Sequence, residues 1–371
     1  MWVDNTRQYI PDEVAVFPRV RVQHERLLKT PGQVLARIGQ FVQPHDVVAQ
    51  APGRLRVHVV DVAKELDVKP KAALKAITVE PGQTVKENDL LAQQSGLFRR
   101  RKVVAPVGGR VLQVDNQGRV LLQTMAEGET LRAGLRGKVI NLMPRFGVVI
   151  ESTGAFVQGV WGNGQNRVGV LRVLASSPNG TVSPEQFDVS VRGNVVVAGR
   201  TVSPEVLEAA TQARVQGLIV ASLRPELLEL ARKQEYAVVV TDGVHNEGMA
   251  PPIFEILRRC DGQEVVVNAI FNPGRPRLRP EILIPEPSTE GVPVFRPGRP
   301  LQVGDVVRIV APPLLGRVGV VRTPWAGRGI LESGLEVNGC EVTLPDGSVH
   351  FVALHAVERL TGAKLVTSQA S

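Results

Sequence analysis

Residues 39–50 and 82–93 write one phrase twice. The first copy is Gly39-Gln40-Phe41-Val42-Gln43-Pro44-His45-Asp46-Val47-Val48-Ala49-Gln50, and the second is Gly82-Gln83-Thr84-Val85-Lys86-Glu87-Asn88-Asp89-Leu90-Leu91-Ala92-Gln93. Gly, Gln, Val, Asp, Ala and the closing Gln stay in register. Each copy reads as a strand, a polar turn and a second strand. Alternation buries Val42 and Val85 together with the aliphatic residues that follow the turn. His45 and Asn88 are the turn residues expected to take a positive φ. The repeat therefore constrains the chain to short β units built round tight turns.

A third related segment runs from Val103-Val104-Ala105-Pro106-Val107-Gly108-Gly109-Arg110-Val111-Leu112 through the turn Asp115-Asn116-Gln117-Gly118 to Val120-Leu121-Leu122. Residues 82–92 and 105–111 follow G-x-x-V-x-x-G-D-x-L-A and A-P-x-x-G-x-V, with Asn88 (and His45 in the first copy) where the second Gly is usual, and so resemble the barrel-sandwich hybrid fold of biotinyl and lipoyl carrier domains. The resemblance covers residues 30–125. Carriers place a modifiable lysine on the hairpin between the two motifs, in a Met-Lys-Met context. Family spacing puts that position at Phe98, within Ser95-Gly96-Leu97-Phe98-Arg99-Arg100-Arg101-Lys102. The Met-Lys-Met context is missing, so the resemblance implies a non-carrier docking module. Residues 61–75, with Val62, Leu66, Ala72 and Ala73, read as a short helix interrupted at Pro70 and inserted between two half-repeats.

At 371 residues the chain is long enough for several cores. Its 36 Gly and 27 Pro punctuate short strands, so β structure is expected to dominate. Charge is uneven. Residues 1–137 hold 21 Lys and Arg against 14 Asp and Glu, most of the net +8, whereas residues 300–371 hold six of each. A basic surface suits nucleic acid or an acidic partner. Two cysteines, Cys260 and Cys340, supply neither a disulfide framework nor a zinc site. With no membrane-length apolar run and no leader pattern, the expected location is cytoplasmic.

Residues 138–190 read as hairpin-rich β structure, with Gly162-Asn163-Gly164 as a turn between two strands. Trp161 is expected to pack beneath that hairpin. From 191 to 270 apolar strands alternate with helices, which predicts a small parallel α/β domain. Ser203 caps one helix and Pro204 opens it. Ligands of such sheets bind at the C-terminal strand edge. There Asp242 and His245 form the nearest thing to an acid/base pair. Neither G-x-G-x-x-G nor a P-loop opens any helix, so no cofactor is expected. Arg258 and Arg259 flank Cys260 and are expected to lower its pKa.

Residues 271–300 carry eight prolines and read as an extended, solvated linker. Its Arg275, Arg277 and Arg279 are candidate phosphate contacts. Residues 301–362 read as a compact β barrel, with 363–371 as a tail. Val303-Gly304-Asp305-Val306-Val307-Arg308 followed by Gly316-Arg317-Val318-Gly319-Val320 resembles the KOW motif of SH3-like barrels in ribosomal proteins and transcription elongation factors. The resemblance implies docking to proteins or RNA, and the balanced charge of the module favours protein.

The fold class expected is thus multidomain and β-rich: a barrel-sandwich module at 1–137, the segment 138–190, the α/β domain 191–270, the linker and an SH3-like barrel. The expected function is that of a non-catalytic scaffold or adaptor that self-associates or docks onto a larger complex. A nucleic-acid-associated factor using Arg99, Arg100, Arg101 and Lys102 is the alternative, and a ligand or catalytic role at Asp242 and His245 is a third.

Overall fold

In the computed structural model the described residues are 9–95, 100–271, 279–286 and 291–365. The molecule is β-rich, with one large mixed sheet of 16 strands and three smaller sheets.

The two copies of the repeated phrase build the same loop. Gly39 and Gly82 take φ of +85° and +93°, a region that L side chains avoid. Gln40 Oε1 accepts the Arg37 N–H at 2.9 Å, and Gln83 Oε1 accepts the Glu80 N–H at 3.0 Å. Asp46 Oδ2 accepts the Gln43 N–H at 2.8 Å, and Asp89 Oδ2 accepts the Lys86 N–H at 2.7 Å. Gln and Asp recur because each closes a turn through its own side chain. Of the two expected positive φ residues, only Asn88 has one, at +69°.

The copies are not halves of one unit. They lie in two separate cores, one module nested inside the other. Val42, Val48, Ala49, Leu131, Ala133, Val139, Val148 and Ile150 share the host core. Val85, Leu91, Ala92, Val103, Ala105, Val111, Val120 and Leu122 share the inserted core. Their partners differ by 43 residues before the insertion and 28 after it. Even a register shift recurs, between Val139 and Asn141 in the host and opposite Leu121 and Leu122 in the insert. The insert leaves the host after the strand Val47–Ala51 and returns before Glu129–Arg132, which pair antiparallel. Gly53 and Gly128 stand where the linking segments cross, since a Cβ at either would strike the opposite backbone. The helices Val62–Leu66 and Pro70–Ala76 belong to the insert and bury Val62, Leu66 and Ala73 in its core. They cap that module and do not separate two half-repeats.

The host strand Asp12–Leu27 organises the large sheet. It pairs antiparallel with Gly147–Gln158 and parallel with the last strand, Val357–Thr361. Gly147–Gln158 continues through Glu281–Pro285 and Glu264–Asn268 into Asn166–Val173. From there Asn194–Gly199, Gly217–Ser222 and Ala237–Gly243 add in parallel, each beside the last. Helices Pro204–Ala213 and Leu228–Arg232 cover one face of these strands, and Pro251–Arg259 covers the other. The expected parallel strand at 264–268 runs antiparallel, so the layer is mixed.

Two further expectations are corrected. Asn163-Gly164 does not close a hairpin, because Trp161–Gly162 pairs with Ala237–Gly243 instead. Asn163 acts as a clamp. Its Oδ1 accepts the Val238 N–H at 3.0 Å and its Nδ2 donates to the Tyr236 carbonyl at 2.9 Å. Trp161 is buried among the strands and helices of the α/β layer. The supposed linker contains the central strand Glu281–Pro285, with Ile282, Leu283 and Ile284 buried. Pro280 and Pro285 bracket that strand, where a missing N–H is tolerated.

The C-terminal unit orders its strands as Val357–Thr361, Val306–Ile309, Val318–Ile330, Glu336–Thr343 and Val349–Ala353. No helix among the described residues is long and apolar enough to cross a membrane.

Candidate functional site

The C-terminal edge of the parallel strands is sealed by the C-terminal unit. Arg308, only 1% exposed, enters it from the strand Val306–Ile309. Its guanidinium binds the Asp242 and Glu358 carboxylates and donates to the Thr241 carbonyl at 3.0 Å. Arg279 adds a second cation to Glu358 at 3.0 Å. Burial opposes the charge on Arg308, but the flanking Glu358 and Asp242 outweigh it and raise the pKa. Two cations and two carboxylates thus balance in a largely buried site. A second quartet lies on the neighbouring strand. Arg359, also 1% exposed, binds Glu13 at 2.6 Å and Asp305 at 3.7 Å, and Asp305 also binds Arg299.

Asp242 therefore has little left for chemistry. Oδ1 accepts the Ala250 N–H at 3.1 Å besides Arg308, and Oδ2 accepts the Thr241 hydroxyl at 2.6 Å. His245 lies in the following loop, where Nδ1 accepts the Glu247 N–H at 3.0 Å. Burial, the largest effect, lowers its pKa, with Asp242 acting in the opposite direction. Accepting that N–H also requires the neutral ring. The two residues orient a loop and join two units. Cys260 behaves in the same structural way. Burial, and after it the charge of Glu286, raises its pKa against the expected lowering, outweighing the opposite pull of Arg259.

The basic candidates are scattered. Arg99, Arg275, Arg277 and the carrier-like position Phe98 lie outside the described residues. Arg100 opens the strand Arg100–Val104. Arg101 donates to the Leu66 carbonyl at 3.2 Å, fastening the strand to the helical cap, while Lys102 is exposed. Arg279 is paired with Glu358 and mostly buried. Residues 52–128 nevertheless hold 13 Lys and Arg against eight Asp and Glu, so most of the basic surplus belongs to the insert.

The insert also has an apolar face that its pattern hid. Leu55, Val57 and Val59 are 62%, 51% and 56% exposed on the strand Leu55–Asp61. Across the ladder Met125 pairs with Leu55 and is likewise exposed. The strand is an edge of its four-stranded sheet, with one side unpaired among the described residues. Its period-2 alternation is visible in Leu55-Arg56-Val57-His58-Val59-Val60. That pattern alone points the aliphatic residues inward, and only the fold turns three of them out.

Comparison with known proteins gives no matching family and no matching curated protein.

Proposed function

We propose that the chain is a non-catalytic adaptor whose inserted module is its docking head. The single observation that carries this reading is the exposed edge strand Leu55–Asp61, apolar outward, on a module joined to the host by two linking segments. An unpaired edge of this kind recruits a strand of another chain through main-chain hydrogen bonds, with the outward side chains adding apolar contact. The rest of the molecule serves as a mount, with its layers bolted together by the buried Arg308 ion pairs and by the Arg359 ion pairs beside them. In this reading the nested modules are barrel-sandwich docking units and the C-terminal unit is an SH3-like barrel of the KOW type. Partner recognition then falls to protein edges, and the basic surplus of the insert steers acidic partners.

The test is the double substitution Val57→Lys and Val59→Lys in the full chain. Both side chains are half or more exposed, so the fold should survive, as circular dichroism would report. Light scattering on the purified protein, and affinity capture from lysate followed by mass spectrometry, should show oligomers or specific partners that the double variant loses. Unchanged assemblies in the variant would remove the edge strand from the proposal. The basic surplus supports nucleic acid as the second reading. Binding of a labelled single-stranded RNA that weakens steeply with salt and with Lys102→Ala would favour it.

A further inference from the structure

Nested duplication supplies an internal control, since positions that match in fold but differ in chemistry mark where one module has been adapted. In the insert, Val60 pairs with Val120 and is buried at 4% exposure. In the host, the position paired with Val148, the equivalent of Val120, is Arg26. A core valine in one module is an arginine in the other. The change has a companion. Ala105 is followed by Pro106, whereas its equivalent Ala133 is followed by Gly134. A Cβ on Gly134 would come within 3.0 Å of Arg26 Nη2 and 3.1 Å of its Cζ. Gly134, at φ +73°, thus leaves room for the guanidinium.

Among the described residues Arg26 has no carboxylate partner. Its Nε and Nη2 both donate to the Arg132 carbonyl at 3.3 Å, and no other partner exists among the described residues. A partly buried guanidinium facing only a carbonyl is a cation without its counter-charge. Burial lowers its pKa accordingly.

Arg26 lines a cleft of about 590 Å³ between the host module and the face of the large sheet. Leu131 and Leu135 wall it from the host, and Val266 and Leu283 from the sheet. Asn166, Asn268 and Glu281 form one cross-strand row along it. The Asn166 side-chain amide is unengaged among the described residues. Glu281 faces His24 at 3.4 Å, and Arg279 is neutralised by Glu358. Lys29 and Glu25 lie at the rim, both exposed. Arg26 is thus a half-buried cation that no carboxylate meets among the described residues, and it stands above an apolar wall.

We propose that this cleft binds a small organic monoanion, with a carboxylate held by Arg26 and an apolar body against Leu131, Leu135, Val266 and Leu283. A single negative charge supplies the counter-charge that Arg26 lacks. A phosphate dianion would leave excess charge close to Glu281 and would not use the apolar wall. The guanidinium offers a charge-assisted hydrogen bond to the carboxylate, and Asn166 offers an amide donor.

The experiment is isothermal titration of the full-length protein with octanoate, with octanol and inorganic phosphate as comparators. Octanoate should bind saturably and raise the melting temperature by mass action. Arg26→Gln should weaken it about tenfold or more, in line with loss of a charge-assisted bond. Lys29→Gln, at an exposed position that leaves the fold intact, should weaken it by about twofold through charge alone. Arg26→Lys should retain part of the affinity, which separates loss of the charge from loss of the fold. Octanol binding as tightly as octanoate would reduce the cleft to an apolar void and overturn the proposal. Phosphate binding without octanoate, binding unaffected by both Arg26→Gln and Lys29→Gln, or no saturable binding at millimolar concentration would each overturn it as well.

Discussion

Arg308 ties two parts of the architecture together. It connects Asp242 of the α/β layer to Glu358 of the C-terminal unit with almost no exposure. Arg308→Met removes the cation shared by two buried carboxylates: Glu358 keeps Arg279, but Asp242 is left with only the Ala250 N–H and the Thr241 hydroxyl. The expected cost is about 3–5 kcal/mol, far above that of a surface pair. Urea unfolding at neutral pH checks it, and a loss below about 1 kcal/mol would show that water reaches the site. His245 predicts a pH dependence at the same edge. Its folded pKa lies below the ordinary value, so the folded state prefers the neutral ring. The contribution is complete above the unfolded pKa near 6.5 and is lost as pH falls through the folded value. Melting temperature should therefore drop on acidification from pH 7 to pH 5, and His245→Gln should make that drop shallower.

At the scale of elements, the segment read as a solvated linker is the sharpest departure. Eight prolines in 30 residues outweigh the three apolar residues Ile282-Leu283-Ile284 in any local reading. Those three residues nevertheless occupy the middle of the large sheet, between Gly147–Gln158 and Glu264–Asn268. Ile284→Ala, at 0% exposure, should cost about 2–4 kcal/mol in an unfolding titration, whereas a change in a solvated strap costs almost nothing. Asn163 illustrates the same limit. Asn-Gly is a strong hairpin signal, but here the asparagine side chain reaches the backbone of a distant strand. Asn163→Ala strips the Val238 N–H of its side-chain acceptor and the Gln234 and Tyr236 carbonyls of a side-chain donor, and should destabilise by about 1–3 kcal/mol.

For the whole molecule, nesting makes a separable prediction. The insert has its own core and enters and leaves the host at adjacent points on a paired hairpin. Excising residues 53–127 and closing the gap with a short Gly-Ser turn should leave a folded host with a cooperative melt. Residues 52–128 alone should fold with β circular dichroism and their own transition. Loss of the host fold on excision would mean that the two cores are energetically one. If the host stays folded but loses the partners captured by the full chain, docking resides in the insert as proposed.

The sequence by itself determined what short-range chemistry controls. It specified the twin turns of 39–50 and 82–93, because glycine φ and the Gln and Asp side chains act within three residues of themselves. It also specified the β-rich character, the cap at Ser203 and the strands of the α/β layer, because alternation and apolar runs are local. Tertiary structure alone decided that the twin phrases belong to two nested modules. The second motif of the host, Ala133 to Val139, lies more than 80 residues from its first, and it shares only Ala, Gly, a basic residue and Val with Ala105 to Val111. It likewise decided that Asp242 is a tether, since its partner Arg308 is 66 residues away. The same holds for Arg26 in a cleft and for Leu55, Val57 and Val59 facing outward. An ion pair, a cleft or an exposed face is a relation between distant segments, and only the packed chain brings those segments together.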